Sequence, residues 1–216
     1  MPSTLHYIFD PLCGWCYAAQ PMLRAVRDTL GPRLALQLHP GLLFEQPKTL
    51  DAGWRGHIVD ADQRIAQLAG VRFGEAYIAR LRSHDDMVLD SNLPARAVMA
   101  AEQCRDGAGL VMLEAIQHAH YVAGQDVTQA DRLLALAGEG GLDSKAFSAA
   151  LTAQASQMPT AVHQARTLLE ASGGRGFPTF ILEHEQRLMR LDHARVYGQP
   201  AAFAAQIHQL IDGEPA

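Results

Sequence analysis

Two textures of apolar and polar positions alternate along the chain. Residues 4–9 form a short, almost continuous apolar run with Tyr7, Ile8 and Phe9, the signature of a buried strand, and Asp10-Pro11 ends it. From Cys13 to about Leu30 the period becomes helical, with Leu23, Val26 and Leu30 on one face. Pro21 falls inside that helix, removes the backbone bond to the carbonyl of Tyr17 and predicts a kink. Gly31-Pro32 stops the helix. Leu34-Ala35-Leu36-Gln37-Leu38 then alternates as a second strand, ended by His39-Pro40-Gly41. The opening is a β-α-β unit.

From about Lys48 to Ser172 the chain is rich in Ala, Leu and Gln with helical spacing. Trp54, Ile58, Ala61, Ile65 and Leu68 make a four-three-four-three stripe closed by Gly70, and Phe73, Tyr77, Ile78 and Leu81 a short helix after it. Pro94 is expected at the first position of a helix carrying Val98 and Met99 and reaching about Cys104. Leu110, Leu113, Ile116 and Tyr121 mark the next. Thr128 with Asp131 resembles a capping box, Asp143 a cap for a helix bearing Phe147 and Leu151, and Pro159 the opening of a last helix stopped by Gly173-Gly174. No repeat period stands out.

The period then returns to two. Thr179–Leu182 and Arg187–Leu191 read as a hairpin across the polar turn 183–186, and Pro200 to about Ile211 as a closing helix with Phe203, Ile207 and Leu210 on one face. The predicted class is α/β: β-α-β, a helical block, then β-β-α.

Composition narrows the function. The 216 residues are 48% hydrophobic and 19% charged, ordinary for a globular protein, and the net charge of −5 comes without any concentration of Lys or Arg. A nucleic-acid or membrane-surface role has no electrostatic support. No apolar window approaches eighteen residues, and no Lys or Arg precedes Arg24, so neither a transmembrane helix nor a signal peptide is visible. The chain reads as cytoplasmic, although a secreted chain stripped of its signal would read the same.

The chemistry lies in Cys13-Gly14-Trp15-Cys16. Three cysteines are too few for a disulfide framework or a four-cysteine zinc site. The pair sits where the first helix begins, and the free amides of a helix N-terminus favour a thiolate, the form that attacks a disulfide. Cysteine pairs of this spacing ionise at about 3.5–7.5 against about 8.5 for free cysteine. Gly14 and Trp15 are uncharged, so a moderate lowering at Cys13 is expected. One turn further in, Cys16 is the more buried of the two; Cys13 would attack and Cys16 resolve. A metal half-site would need a second ligand pair. Cys104 does not supply it, and His118 and His120, two apart on a helix, share no face.

The second informative stretch is Gly173-Gly174-Arg175-Gly176-Phe177-Pro178-Thr179-Phe180, directly before a strand; taken alone, Pro178 reads as a trans strand start. Taken with the strand-Asp10-Pro11-Leu12-Cys13-Gly14-Trp15-Cys16 stretch, with Pro21, and with the element order, it makes the whole chain resemble the thioredoxin superfamily. Within it the chain resembles the DsbA-like branch with an inserted helical domain, and more narrowly the unsecreted bacterial FrnE-like or predicted protein-disulfide isomerases. The resemblance implies a thioredoxin-like domain from residues 1–48 and 172–216 and an inserted helical domain at 49–171. It implies a thiol–disulfide oxidoreductase or isomerase with Pro178 cis against the cysteine pair, Phe177 pairing its backbone with an extended substrate, and Gly14 and Trp15 beside it. Substrates would be protein or small-molecule thiols and disulfides, glutathione among them. No cofactor or metal is implied. No His stands between the cysteines, so the strongly oxidising character of secreted DsbA does not carry over.

Other residues weigh less. Asp10 is either a proton-transfer group beside Cys16 or a turn residue before Pro11. Trp15 and Tyr17 flank the sulfurs as an apolar rim, or Tyr17 belongs to the core. Cys104 reads as a packing residue. His57, His84, His163, His193 and His208 show no paired spacing, and Trp54 and Tyr77 read as core of the insert. Two alternatives stand beside the redox reading. One is a glutathione-using enzyme like the kappa-class transferases and 2-hydroxychromene-2-carboxylate isomerases, which put serine where Cys13 stands. The other is a binding or chaperone-like module with a vestigial dithiol.

Overall fold

The computed structural model describes residues 3–83 and 87–213; His84 lies outside them. β1 (Ser3–Phe9) leads through a turn to α1 (Gly14–Ala18) and α2 (Gln20–Leu30), and then β2 (Leu34–Pro40). The helical block follows: β3 (Lys48–Thr49), α3 (Ala52–Ala69), α4 (Glu75–Arg82), β4 (Val88–Leu89), α5 (Asn92–Cys104), α6 (Ala108–Tyr121), α7 (Ala130–Glu139) and α8 (Ser144–Ala171). β5 (Thr179–His184), β6 (Arg187–Arg190) and α9 (Pro200–Asp212) close the chain.

The sheet runs β2-β1-β5-β6, with β1 parallel to β2 and antiparallel to β5. Its central strand β1 is buried on both faces, which is why its sequence is apolar without alternation. On one face Leu5, Tyr7 and Phe9 join Phe180 and Leu182 beneath α2 and α9, and Tyr7 stacks on Phe180 at 4.9 Å. On the other, Ile8 and Ile181 meet Ala165, Leu168 and Leu169 of α8. The inserted helices share a continuous apolar core with the first face, through residues such as Leu113, Ile116 and Tyr121.

Several local expectations are corrected. The single kinked helix from Cys13 to Leu30 is two helices broken at Ala19, with Pro21 second in α2, where the first turn does not need its N–H. β2 runs on through His39 and Pro40 in register with Ile8 and Phe9. It is an edge strand, so Pro40 removes no bond the sheet requires. Pro94 lies third in α5, still among the amides of the first turn that have no helical partner.

Pro159 opens nothing. α8 runs unbroken for 28 residues: Pro159 and Ala155, whose carbonyl loses its helical partner, lie on the exposed side open to solvent, while Phe147, Leu151, Met158 and Val162 hold the buried side. The Thr128–Asp131 capping box does not form. Asp126 instead takes the Thr128 amide at 3.0 Å and its hydroxyl at 2.7 Å, and Gln129 becomes the N-cap without a side-chain bond. In α3 the buried positions are Asp62, Ile65 and Ala69, while Trp54 is 39% and Leu68 57% exposed. Trp54 is therefore not core. Tyr77 is buried as expected. Cys104 is half-buried against the core.

Asp143 caps α8 by accepting the Ala146 amide at 2.8 Å. Asp143→Ala should lower the unfolding free energy by roughly 1 kcal/mol. Chemical denaturation checks this, with an unchanged slope and a shifted midpoint as the expected result.

Candidate active site

The turn after β1 delivers both cysteines. The Cys13 amide donates to the Asp10 carbonyl at 3.3 Å, and Cys13 becomes the extended N-cap residue of α1. One helical turn on, Cys16 is fully buried, whereas Cys13 keeps 7% of its surface exposed, and both carry free thiols. The Asp10 amide points at the Cys16 Sγ at 3.5 Å. Burial first, then the neighbouring Cys13, pushes the Cys16 thiol well above the usual range, so it holds its proton. The Cys13 thiol faces the Phe177 carbonyl oxygen at 3.4 Å. The Phe177–Pro178 peptide is cis and Pro178 is buried.

Asp10 ties this turn to the loop after β2. It is fully buried, and one carboxylate oxygen accepts the Leu12 amide at 2.7 Å while the other accepts the Leu43 amide at 2.8 Å. Burial raises its pKa against the opposing pull of Ser91 and these amides. The loop reaches Asp10 by placing buried Leu42 at φ 54°, a left-handed conformation that a bulky residue adopts only under constraint. Arg166 of α8 supplies the constraint: its guanidinium donates to the carbonyls of Gly41 and Leu42, each at 3.2 Å, and to Glu45 at 2.7 Å.

The helical block roofs the pair. A cleft of about 520 Å³ opens beside Cys13, lined among others by Trp15, Leu43, Trp54, Asp62 and Tyr77. Leu43 (49% exposed) and Trp54 give its mouth an apolar rim, and the Lys48 ammonium sits 4.1 Å from the Trp54 ring centre. Trp15 is held by Tyr197, whose hydroxyl donates to the Trp15 carbonyl at 3.2 Å with the rings 4.9 Å apart. Tyr17 turns away from the cleft, stacking on Tyr121 at 4.9 Å and donating to the Arg72 carbonyl at 2.8 Å. Of the histidines, His120 is buried against Tyr77 and Tyr121, and burial takes its pKa down to about 3. Among the described residues no group of three or more His, Cys, Asp or Glu is placed to hold a metal ion.

The structure thus brings Cys13, Cys16, Asp10, Gly14, Trp15, Phe177 and Pro178 to one place, and Cys104 does not line the cleft. Sequence reasoning missed Gly41, Arg166, Asp62 and Tyr197. Asp62 left a signal, a carboxylate on the apolar face between Ile58 and Ile65. Gly41 left little. A Cβ there would lie 2.0 Å from the Phe177 ring, so only glycine lets that ring close over the end of β2.

A family model of the DSBA-like thioredoxin domain matches residues 4–199. Among solved structures, the chain is 40% identical to the cytosolic disulfide reductase DsbM of Pseudomonas aeruginosa, covering 97% of this chain and 98% of that one with a TM-score of 0.86. A structure of DsbM with GSH matches with a TM-score of 0.85 over 97% and 99% of the two chains, at the same 40% identity. A Nitrosomonas europaea protein with a provisional protein disulfide isomerase assignment shares the fold at 20% identity, with full coverage of both chains and a TM-score of 0.82. Among curated proteins, the ClpXP adapter protein SpxH of Halalkalibacterium halodurans is 25% identical over 152 residues. That match takes in 68% of this chain and 48% of SpxH, so the alignment spans about half the length of the curated relative.

Gly41→Ala should push the Phe177 ring off the strand end and move the Phe177–Pro178 segment relative to Cys13. The expected result is a roughly 10- to 100-fold slower disulfide exchange with unchanged far-ultraviolet circular dichroism, a misplacement effect of the size seen for small shifts at reacting groups. Stopped-flow exchange with a small disulfide measures it.

Proposed function

This chain belongs to the family of DSBA-like thioredoxin domains and is a thiol–disulfide oxidoreductase, and on that premise we propose that it acts as a cytoplasmic disulfide reductase through Cys13 and Cys16. The observation that carries the roles is the asymmetry of the pair: Cys13 at the cleft with its Sγ against the Phe177 carbonyl, Cys16 fully buried behind it. The Cys13 thiolate attacks a substrate disulfide, one sulfur–sulfur bond breaks as the mixed disulfide forms, and the first substrate sulfur leaves as a thiolate. Cys16 then loses its proton, attacks the Cys13 sulfur and releases the second thiolate. Two electrons pass from the protein sulfurs to the substrate, and Cys13 and Cys16 end as a disulfide.

Asp10 is the proposed acceptor of the Cys16 proton. Its main chain already touches the Cys16 sulfur, and a buried carboxylate whose pKa is raised by desolvation binds a proton more readily than an exposed one. Pro178, with Phe177 before it, forms the wall against which the substrate lies, and the Phe177 backbone offers an extended chain a pairing partner. Gly14 and Trp15 contribute the floor.

The reductive direction, the cytoplasmic location and glutathione as the thiol that resets the pair are supported by DsbM, named as a cytosolic disulfide reductase and solved with GSH. No helix of the described residues is long and apolar enough to cross a membrane. The apolar rim of Leu43 and Trp54 suits protein disulfides as well as small ones.

The test is reduction of insulin disulfides with glutathione as the electron source. The wild-type protein should accelerate the reaction and Cys13→Ser should remove the acceleration entirely. Full activity in Cys13→Ser would overturn the reading.

A further inference from the structure

Resting on that reading, we propose that Asp62 donates a proton to the thiolate that leaves the substrate when Cys13 attacks. α3 crosses α1 at Gly14, the residue directly after Cys13. A Cβ on Gly14 would lie 2.8 Å from the Ile65 Cδ1 and 3.0 Å from the Asp62 Oδ1. The absence of a side chain at Gly14 thus lets a carboxyl group from the helical block reach the backbone beside the attacking sulfur. Asp62 is 8% exposed and lines the cleft that Cys13 lines.

Its two oxygens are not equivalent. Oδ2 accepts the Tyr77 hydroxyl at 2.8 Å, which fixes the carboxyl in place. Oδ1 takes no hydrogen bond from a described residue and is the oxygen that faces Gly14. The titratable and charged groups facing the carboxyl are few. Tyr77 comes from α4 and His120 and Tyr121 from α6, with Cys13 across the cleft and His57 and Lys48 also along its lining. Arg72 and Arg82 line, together with Asp62, a smaller cavity of about 270 Å³. No described residue forms an ion pair with it, and burial outweighs the Tyr77 bond and raises Asp62 to about 7, so roughly half of the molecules carry its proton at neutral pH and most do at pH 6.

Asp10 is unsuited to this step. It touches the Cys16 sulfur through its main-chain amide and does not line the cleft into which the substrate thiolate leaves. The two buried carboxyl groups therefore divide the proton traffic. As Cys13 attacks a disulfide R–S–S–R′, the new Cys13–S–S–R bond forms and the R′ sulfur leaves with the electron pair of the broken bond. Asp62 gives it a proton, so that R′–SH departs and Asp62 becomes a carboxylate, to be reprotonated by water entering the open cleft. The sulfur–sulfur electrons come from the dithiol itself, so no further reductant enters this step.

The inference predicts that leaving-group acidity decides how much Asp62 matters. An alkyl thiolate needs a proton to leave irreversibly, whereas an aromatic thiolate of low pKa does not. The experiment compares, by stopped flow, the single-turnover rates of the pre-reduced protein with hydroxyethyl disulfide and with 5,5′-dithiobis(2-nitrobenzoate), each added without any other thiol. Their ratio cancels the ionisation of Cys13. In the wild type, the alkyl-to-aromatic ratio should fall as pH rises through about 7, where Asp62 loses its proton. Asp62→Asn, which keeps the size and can still accept the Tyr77 hydroxyl, should lower the ratio roughly 10-fold or more at pH 6 and flatten its pH dependence. Asp62→Glu should restore the pH dependence. A ratio in the wild type that does not change with pH overturns the inference without recourse to any variant. So does an Asp62→Asn protein that loses both substrates in equal proportion, the result expected if the carboxylate only packs or binds a substrate amine. Either failure leaves the Cys13→Ser result on insulin untouched.

Discussion

A buried carboxylate, with no cation paired to it among the described residues, holds this site together. Asp10 ends β1, and its two oxygens join the amide of Leu12, in the turn that carries Cys13, to the amide of Leu43, in the loop that lines the cleft. Desolvation makes this position costly for a charge, and the two amides with the Ser91 hydroxyl offset part of that cost. The left-handed Leu42, which costs on the order of 1–3 kcal/mol, is what lets Leu43 turn back to Asp10. Arg166 holds the strained segment by its carbonyls. The edge of the sheet, the cysteine turn and α8 thus meet through one small polar network inside an apolar core.

The rest of the site depends on two places where a side chain is missing. Gly41 lets the Phe177 ring lie against the end of β2, which brings the Phe177 carbonyl to the Cys13 sulfur. Gly14 lets α3 lie against α1, which brings the helical block, and Asp62 with it, to the backbone directly after that sulfur's residue. The block is further joined to α1 by the stacking of Tyr17 on Tyr121. The helical block lines the cleft, and its α3 contributes the carboxyl group that a Cβ on Gly14 would meet.

Much of this was legible before the structure. The unalternating run of β1, the helical stripe of α2, the hairpin and the closing helix all follow from periodicity, because each buries one face or both against a core. The cysteine pair and the Phe177–Pro178 segment were legible as motifs. What stayed hidden depended on contacts between distant segments. Trp54 reads as core because it falls on an apolar stripe, yet that stripe faces an open cleft. Pro159 reads as a helix start because its cost in a helix interior is large, yet it lies on the exposed side of α8, where the carbonyl left without a helical partner is open to solvent. Thr128 and Asp131 have the spacing of a capping box, and Asp126, two residues before Thr128, outcompetes Asp131 for the same groups. Gly41 and Gly14 carry no pattern, since the reason for each is a ring or a helix that the fold brings from far along the chain.

The central claim is that an accessible sulfur attacks and a buried one resolves. The most direct measurement is intact-mass analysis of Cys16→Ser and Cys13→Ser after exposure to glutathione disulfide at neutral pH. The account predicts that Cys16→Ser accumulates one glutathione on Cys13, located by peptide mapping and released by dithiothreitol, while Cys13→Ser remains unmodified at Cys16. Glutathione found on Cys16 of Cys13→Ser at a comparable rate, with Cys13 of Cys16→Ser left free, would contradict it.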